Sequence, residues 1–193
     1  MDDAASLATG TVKTLEGVRC IQLDAFSLGY VVNPNEIRSI ADGTRVFLQY
    51  REVLSTDAPD FCTEAILVEW VSPLEMGEIR YTMDVPEGDP VSIMLDWITC
   101  LEDGFLTLHY SIPSKGNTQH TFALYHAGAN QYEYRLVHEA HGDTEGESTA
   151  GIVCFAVGDL LPDTGDETVI LSMNYLNIDH TWKTLNVEYR SPK

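Results

Sequence analysis

Basic residues are scarce in this chain: 11 Lys and Arg against 30 Asp and Glu leave a net charge of −19 over 193 residues. A surface of that sign repels phosphate backbones and anionic headgroups, which argues against nucleic-acid binding and direct lipid binding. The acid is not gathered into a tail, since residues 1–88 hold 15 acidic and 6 basic residues and residues 89–193 hold 15 and 5. Charge spread so evenly reads as solubility or as a calcium-rich setting. No apolar run approaches the roughly 20 residues that span a bilayer. Met1, Asp2, Asp3, Ala4, Ala5 and Ser6 lack the basic start and apolar core of a signal peptide. Two readings of that start stay open: a cytoplasmic N terminus, or a chain from which a leader has been removed.

Cysteine is also sparse. Cys20, Cys62, Cys100 and Cys154 form no C-x-x-C pair, so neither a zinc site nor a redox motif is spelled out. Buried thiols acting as small hydrophobes is the plainer reading. A disulfide within either half needs an oxidising compartment and close Cα approach, and spacing alone does not show the second. Missing too are G-x-S-x-G, the P-loop and G-x-G-x-x-G. No catalytic residue is assigned on this reading, and no cofactor is expected.

What the chain does have is alternation. Around residues 89–112, Val91, Ile93, Leu95 and Trp97 share one side of a strand, and Leu106, Leu108, Tyr110 and Ile112 share one side of the next. That period of two predicts a half-buried hairpin, turned by Glu102, Asp103 and Gly104. Residues 86–90, with two prolines and a glycine, read as a domain boundary. Before it, strands are predicted over 11–14, 19–24, 30–32, 44–54, 63–71 and 78–84, with one helical turn at 36–40. Five or six strands without a long helix suggest an OB-like five-stranded barrel. After the boundary, five more candidates at 120–126, 132–139, 152–157, 168–176 and 181–190 join the hairpin. They suggest a seven-stranded, immunoglobulin-like β-sandwich. The expected fold is therefore all-β, with 1–9 unstructured or a leader remnant, 10–87 a barrel and 88–193 a sandwich.

Candidate sites are few. His138, Glu139, Ala140, His141, Gly142 and Asp143 resemble a metal motif, but a zinc-protease helix spaces its histidines four apart. Here they are three apart on a predicted strand, so they point to opposite sides unless the chain turns. The plainer reading is a solvated strand end and a polar turn, with no metal assigned. Residues 142–147 and 163–167 gather acids in glycine-containing loops without matching the EF-hand pattern, so only adventitious calcium is expected. Trp70 and Trp97 lie in phase with apolar neighbours and are expected in the core. Trp182 alternates with Thr184, Asn186 and Glu188, which makes it the candidate for an exposed contact, or else an isolated surface aromatic.

Several segments resemble the NigD-like proteins, envelope lipoproteins of Bacteroides-type bacteria. They include Gly10, Thr11 and Val12; Ile21, Gln22, Leu23 and Asp24; Gly43, Thr44, Arg45 and Val46; Asp89 and Pro90; and Trp97. Leu106, Thr107, Leu108, His109 and Tyr110, then His120 and the run from Leu136 through Asp143, complete the resemblance. It implies an OB-like domain followed by a sandwich, and it carries no catalytic residues. It also implies lipid attachment at the cell envelope, in the periplasm or at the outer membrane, although the family's lipoprotein signal is not in this sequence. Membrane contact would then come only through that anchor, and the compartment favours disulfides.

The resulting expectation is a non-enzymatic envelope lipoprotein that binds a protein or peptide, in association with a bacteriocin as immunity or delivery factor. The alternative is a glycan-binding module using the barrel or exposed aromatics. A metal-dependent hydrolase at His138 and His141 comes third. The binding candidates are Trp182, His138, His141 and Asp143.

Overall fold

Over residues 105–114 the alternating pattern produces the strand it predicts. Leu106, Leu108 and Ile112 turn inward and are buried, while Phe105, His109 and Ser111 keep partial contact with solvent. The same rule builds nearly every element of the chain. The computed structural model describes residues 4–25, 27–126 and 128–191, and the chain divides into two compact units, Met1–Leu74 and Glu75–Lys193.

The first unit is a closed barrel of β1 (Ser6–Leu15), β2 (Val18–Leu23), β3 (Ser27–Val31), β4 (Arg45–Val53) and β5 (Glu64–Pro73), in the order β1-β2-β3-β5-β4. Glu16 and Gly17, both at positive φ, make the two-residue turn between β1 and β2. Every pairing is antiparallel except β3 with β5, whose register covers only Gly29 to Val31 against Glu64 to Ile66. Val12, Ile21, Leu23, Val46, Leu48 and Ile66 fill the interior. A short 3-10 helix, Pro34–Ile37, adds Ile37 to that core. The Asn33 side chain stands in for a strand partner: its amide donates to Val68 O (2.7 Å), and its carbonyl accepts from Val68 N (3.0 Å). Arg45 is wholly buried and forks onto Asp24 through Nη1 (2.8 Å) and Nη2 (2.6 Å).

The second unit is a two-sheet sandwich. Its short strands are β6 (Glu75–Met76), β7 (Glu78–Tyr81), β8 (Ser92–Ile93) and β9 (Cys100–Glu102). The longer ones are β10 (Phe105–Ser114), β11 (Thr121–His126), β12 (Glu133–Glu139), β13 (Glu147–Phe155), β14 (Val169–Leu176) and β15 (Trp182–Tyr189). One sheet runs β6-β13-β10-β8, with β9 also on β10; the other runs β15-β14-β12-β11-β7. Leu106, Leu124, Leu136, Phe155, Leu171 and Met173 are among the side chains that meet between them. The segment holding β6 and β7 straps the two together. It pairs with β13 in one sheet, then crosses at Gly77 to pair with β11 in the other.

The architecture corrects several expectations. The stretch 78–84 belongs to the sandwich, not the barrel, because Glu78 to Tyr81 lie parallel to Ala123 to His126. A pairing that distant leaves no mark in local alternation, so the break falls after Leu74 and not near residue 88. Ser6 to Thr9, expected to be unstructured, pair with Phe47 to Tyr50 in β4; residues 1–3 lie outside the described residues. The sandwich has two five-stranded sheets where seven strands were expected, since β6 and β9 are too short to show a period and β7 had been assigned to the barrel.

Trp70 and Trp97 are exposed, at 48% and 54%, and neither joins the core. Between Gln49 and Tyr50 the β5 partner jumps from Trp70 to Val68, a bulge that leaves Glu69 over and resets the phase. Val68 stays inside and Trp70 turns out, edge-on to Phe47. At Trp97 the strand has already ended: the Asp96 carboxylate accepts from Ile98 N and the Thr99 hydroxyl donates to Met94 O, folding residues 94–99 into a turn.

Candidate functional site

The antiparallel register of β11 and β12 sets Phe122 opposite His138, so the two share the inner face. His120, two residues before Phe122, has the same parity and reaches the same end of the sandwich. Its Nδ1 lies 2.8 Å from His138 Nε2. The ring planes differ by 10° and their centroids are 5.1 Å apart, so with that short contact the rings sit edge to edge in nearly one plane. His138 Nδ1 lies 3.0 Å from Pro90 O, and His120 Nε2 lies 3.5 Å from Asp143 Oδ2. Carbonyls and carboxylates only accept. His138 Nδ1 therefore donates to Pro90 O, which leaves its Nε2 to accept from His120 Nδ1.

Asp143 arrives through a tight turn, with His141 and Gly142 at positive φ and Asp143 N donating to Ala140 O. Its carboxylate accepts from Lys115 N (2.9 Å), Ser114 Oγ (2.8 Å) and Asn117 N (3.2 Å). The Lys115 N–H, then Ser114, Asn117 and His120, hold the Asp143 carboxyl well below the usual range against the opposing pull of burial. Burial lowers the pKa of His138; Pro90 and Asp89 pull it up and His120 pushes it down. Both His138 ring nitrogens are occupied and the residue is 2% exposed. Chemically the row is a bolt. It ties the turn at 114–117 and the segment at 89–90 to β12, and it leaves no ring nitrogen of His138 to a ligand.

The four sequence candidates thus part company. His138 and Asp143 meet, but only through His120. His141 points the other way: it is exposed, its Nε2 lies 3.1 Å from Thr121 Oγ1, and it borders a cleft of about 380 Å³ with Glu75, Glu78, Arg80 and Tyr125. The two histidines do not converge, and among the described residues no three His, Cys, Asp or Glu cluster for a metal. Trp182 is on the opposite side of the sheet from the row, 46% exposed, with the Arg135 guanidinium 4.6 Å over its ring. Beside it Thr184 Oγ1 donates to Asn174 Oδ1 and Ser172 Oγ donates to Asn186 Oδ1, a polar ladder across β14 and β15. His120 and Arg135 were not singled out as site residues. For His120, its parity with Phe122 and Leu124 and its place among the residues that carry the resemblance were the signals available.

A family model for the NigD-like C-terminal beta sandwich domain matches residues 76–189, opening inside the β6 strap. The chain belongs to the NigD-like family. Solved structures of similar fold come from Parabacteroides and Bacteroides species. A toxin-related protein from Parabacteroides distasonis is 23% identical, with 97% of this chain and 94% of that one covered at a TM-score of 0.77. A NigD-like immunity protein from Bacteroides caccae is 16% identical, with coverage of 100% and 99% and a TM-score of 0.65. A candidate lipoprotein from Bacteroides fragilis is 10% identical, with coverage of 98% and 100% and a TM-score of 0.70. Identities this low speak for the fold. No curated protein sequence matches the NigD-like chain.

Proposed function

We propose that this NigD-like chain is a non-enzymatic envelope protein that holds a basic, extended peptide or protein segment along β15. One observation carries the reading: β15 ends its sheet as an eight-residue strand, and among the described residues its one ladder is with β14. A strand end of that length offers a row of main-chain donors and acceptors to an incoming strand. The charge of −19 favours a basic partner through steering. The immunity and toxin-related names of two structural relatives support a bacteriocin association, and the candidate lipoprotein supports the envelope. The barrel order β1-β2-β3-β5-β4, with its parallel β3–β5 pair, favours an OB-type domain. The paired sheets favour an immunoglobulin-like sandwich.

Photo-crosslinking amino acids at Thr184 and Asn186, in intact cells of a Bacteroides-type host, test the reading against a control at Lys13 on the barrel. A polypeptide adduct is expected from the β15 positions and not from Lys13. Equal adducts, or none, would end the proposal. A glycan reading has its own observation in the exposed Trp182 beside the Asn174–Thr184 ladder, although Arg135 already covers one face of the ring. A glycan array with Trp182→Ala decides it: sugar binding lost in the variant supports it, and no sugar bound by the parent chain removes it.

A further inference from the structure

Inside the barrel, Ile21 and Leu23 of β2 face the core, so Cys20, one residue before Ile21, faces outward; even so it is 0% exposed. Its cover includes the loop between β4 and β5. Cys62 of that loop brings its sulfur to 3.6 Å from Cys20 Sγ. The loop is held there independently of the sulfurs. Cys62 N donates to Pro59 O (2.9 Å), Thr63 N donates to Leu28 O (2.9 Å), and Leu28 N donates to Thr63 Oγ1 (2.7 Å). The second pair is arranged differently. Cys100 and Cys154 both stand opposite Thr107, one on each side of β10. Two strand spacings put their Cα atoms about 9–10 Å apart, beyond the roughly 7 Å a disulfide tolerates.

We infer that Cys20 and Cys62 are a modification site: an external disulfide oxidises them to a covalent staple that fastens the 54–63 loop over β2, while Cys100 and Cys154 stay reduced. Cys62 is partly exposed and Cys20 is not, which sets the order. Burial first, then the Cys62 sulfur, pushes the Cys20 thiol up to about 12, so Cys62 is the attacking group. The Cys62 thiolate attacks a sulfur of the oxidant, forms a mixed disulfide and expels one thiolate. Cys20 then loses its proton and attacks Cys62 Sγ, closing the intramolecular bond and releasing the second thiolate. Two electrons and two protons leave the protein, and the oxidant becomes two thiols. The sulfurs need to close by about 1.5 Å to reach bonding distance. The staple lands where the barrel is thinnest, because the parallel β3–β5 seam has three register pairs against six for β1 with β2.

The inference draws on the envelope reading only for the oxidant in the cell, and its test does not depend on that reading. Purified chain, fully reduced, is incubated with oxidised glutathione and then alkylated, mapped by mass spectrometry and melted. Of the four thiols, two are expected to disappear, the Cys20 and Cys62 peptides are expected to be linked, and the barrel transition is expected to rise by about 10 °C or more. Cys62→Ser, at a partly exposed position, should fold, lose the linkage and melt alike with and without oxidant. Four alkylated thiols in the folded, oxidant-treated chain would overturn the inference, as would a linkage mapped to Cys100 and Cys154.

Discussion

Arg45 ties the barrel to one ion pair, because a guanidinium with no solvent depends on the carboxylate that faces it. Removing Asp24 takes away the carboxylate that accepts two of its hydrogen bonds in a place water does not reach. Asp24→Ala is expected to cost about 3–5 kcal/mol, read as a lowered urea midpoint for the barrel, whereas Asp42→Ala, at an exposed ion pair with Arg19, should move it by less than about 1 kcal/mol. In the sandwich the buried row makes a pH prediction whose sign follows from two shifts. His138 has a lowered pKa when folded, so unfolding takes up a proton once the pH drops below its ordinary 6.5, and stability falls from there. Asp143 is also lowered, so its contribution is present above the ordinary 3.8 and is lost as the pH falls further. Both act in the same direction, giving a sandwich stable at pH 7–8 that weakens in acid. Chemical denaturation at pH 7.5, 5.5 and 3 checks this. His138→Gln, which does not titrate, should flatten the limb between about pH 6.5 and 5 while costing about 1–3 kcal/mol at pH 7.5 for one hydrogen bond left unmade. The stretch holding His138 and Asp143 stood out in the sequence for its polar residues. What joined them did not, because His120 lies 18 residues from His138 and only the β11–β12 register brings it in.

Elements were legible where the period of two ran unbroken for six or more residues, as in β10, β11 and β12. They were misread where something interrupted the period. The extra residue at Glu69 turned Trp70 from a core position to the surface, and a polar turn at 94–99 did the same for Leu95 and Trp97. The strap of β6 and β7 is the largest miss, because its partners lie about 45 and 80 residues downstream and pair in parallel. Its crossing depends on a missing side chain: a Cβ at Gly77 would stand 2.2 Å from Phe155 Cε1. Phe155 is itself fully buried and cannot swing out to solvent. Gly77→Ala should therefore destabilise the sandwich by about 1–3 kcal/mol through overpacking. Phe155→Leu in the same chain should return part of that loss. A double-mutant cycle in urea measures it, and strictly additive costs would mean that the strap meets something other than Phe155.

At the scale of the whole chain, the two-part, all-β plan was readable from strand count and spacing, but the dividing point was drawn at the most obvious punctuation, residues 86–90. The structure divides after Leu74, and the difference is testable with fragments. Residues 75–193 keep the strap and both sheets complete, whereas 88–193 loses β6 and β7 and uncovers the outer edges of β13 and β11. Open edges of that kind pair with one another. Fragment 75–193 is expected to be monomeric by size-exclusion chromatography with a cooperative melt, and 88–193 to aggregate or melt without a transition; equal behaviour would mean that the strap is dispensable. Moving the boundary also moves the charge. Residues 1–74 hold 11 acids and 5 bases, and residues 75–193 hold 19 and 6, so the sandwich carries −13 of the −19. Self-repulsion should therefore weigh on the sandwich more than on the barrel. Between about 10 mM and 200 mM salt the screening length shrinks from roughly 30 Å to under 10 Å, which is short against the width of a domain. Over that range the melting temperature of 75–193 should rise by several degrees and that of 1–74 by less. The reverse order, or a fall in both, would show that attractive ion pairs outweigh the surplus of like charge.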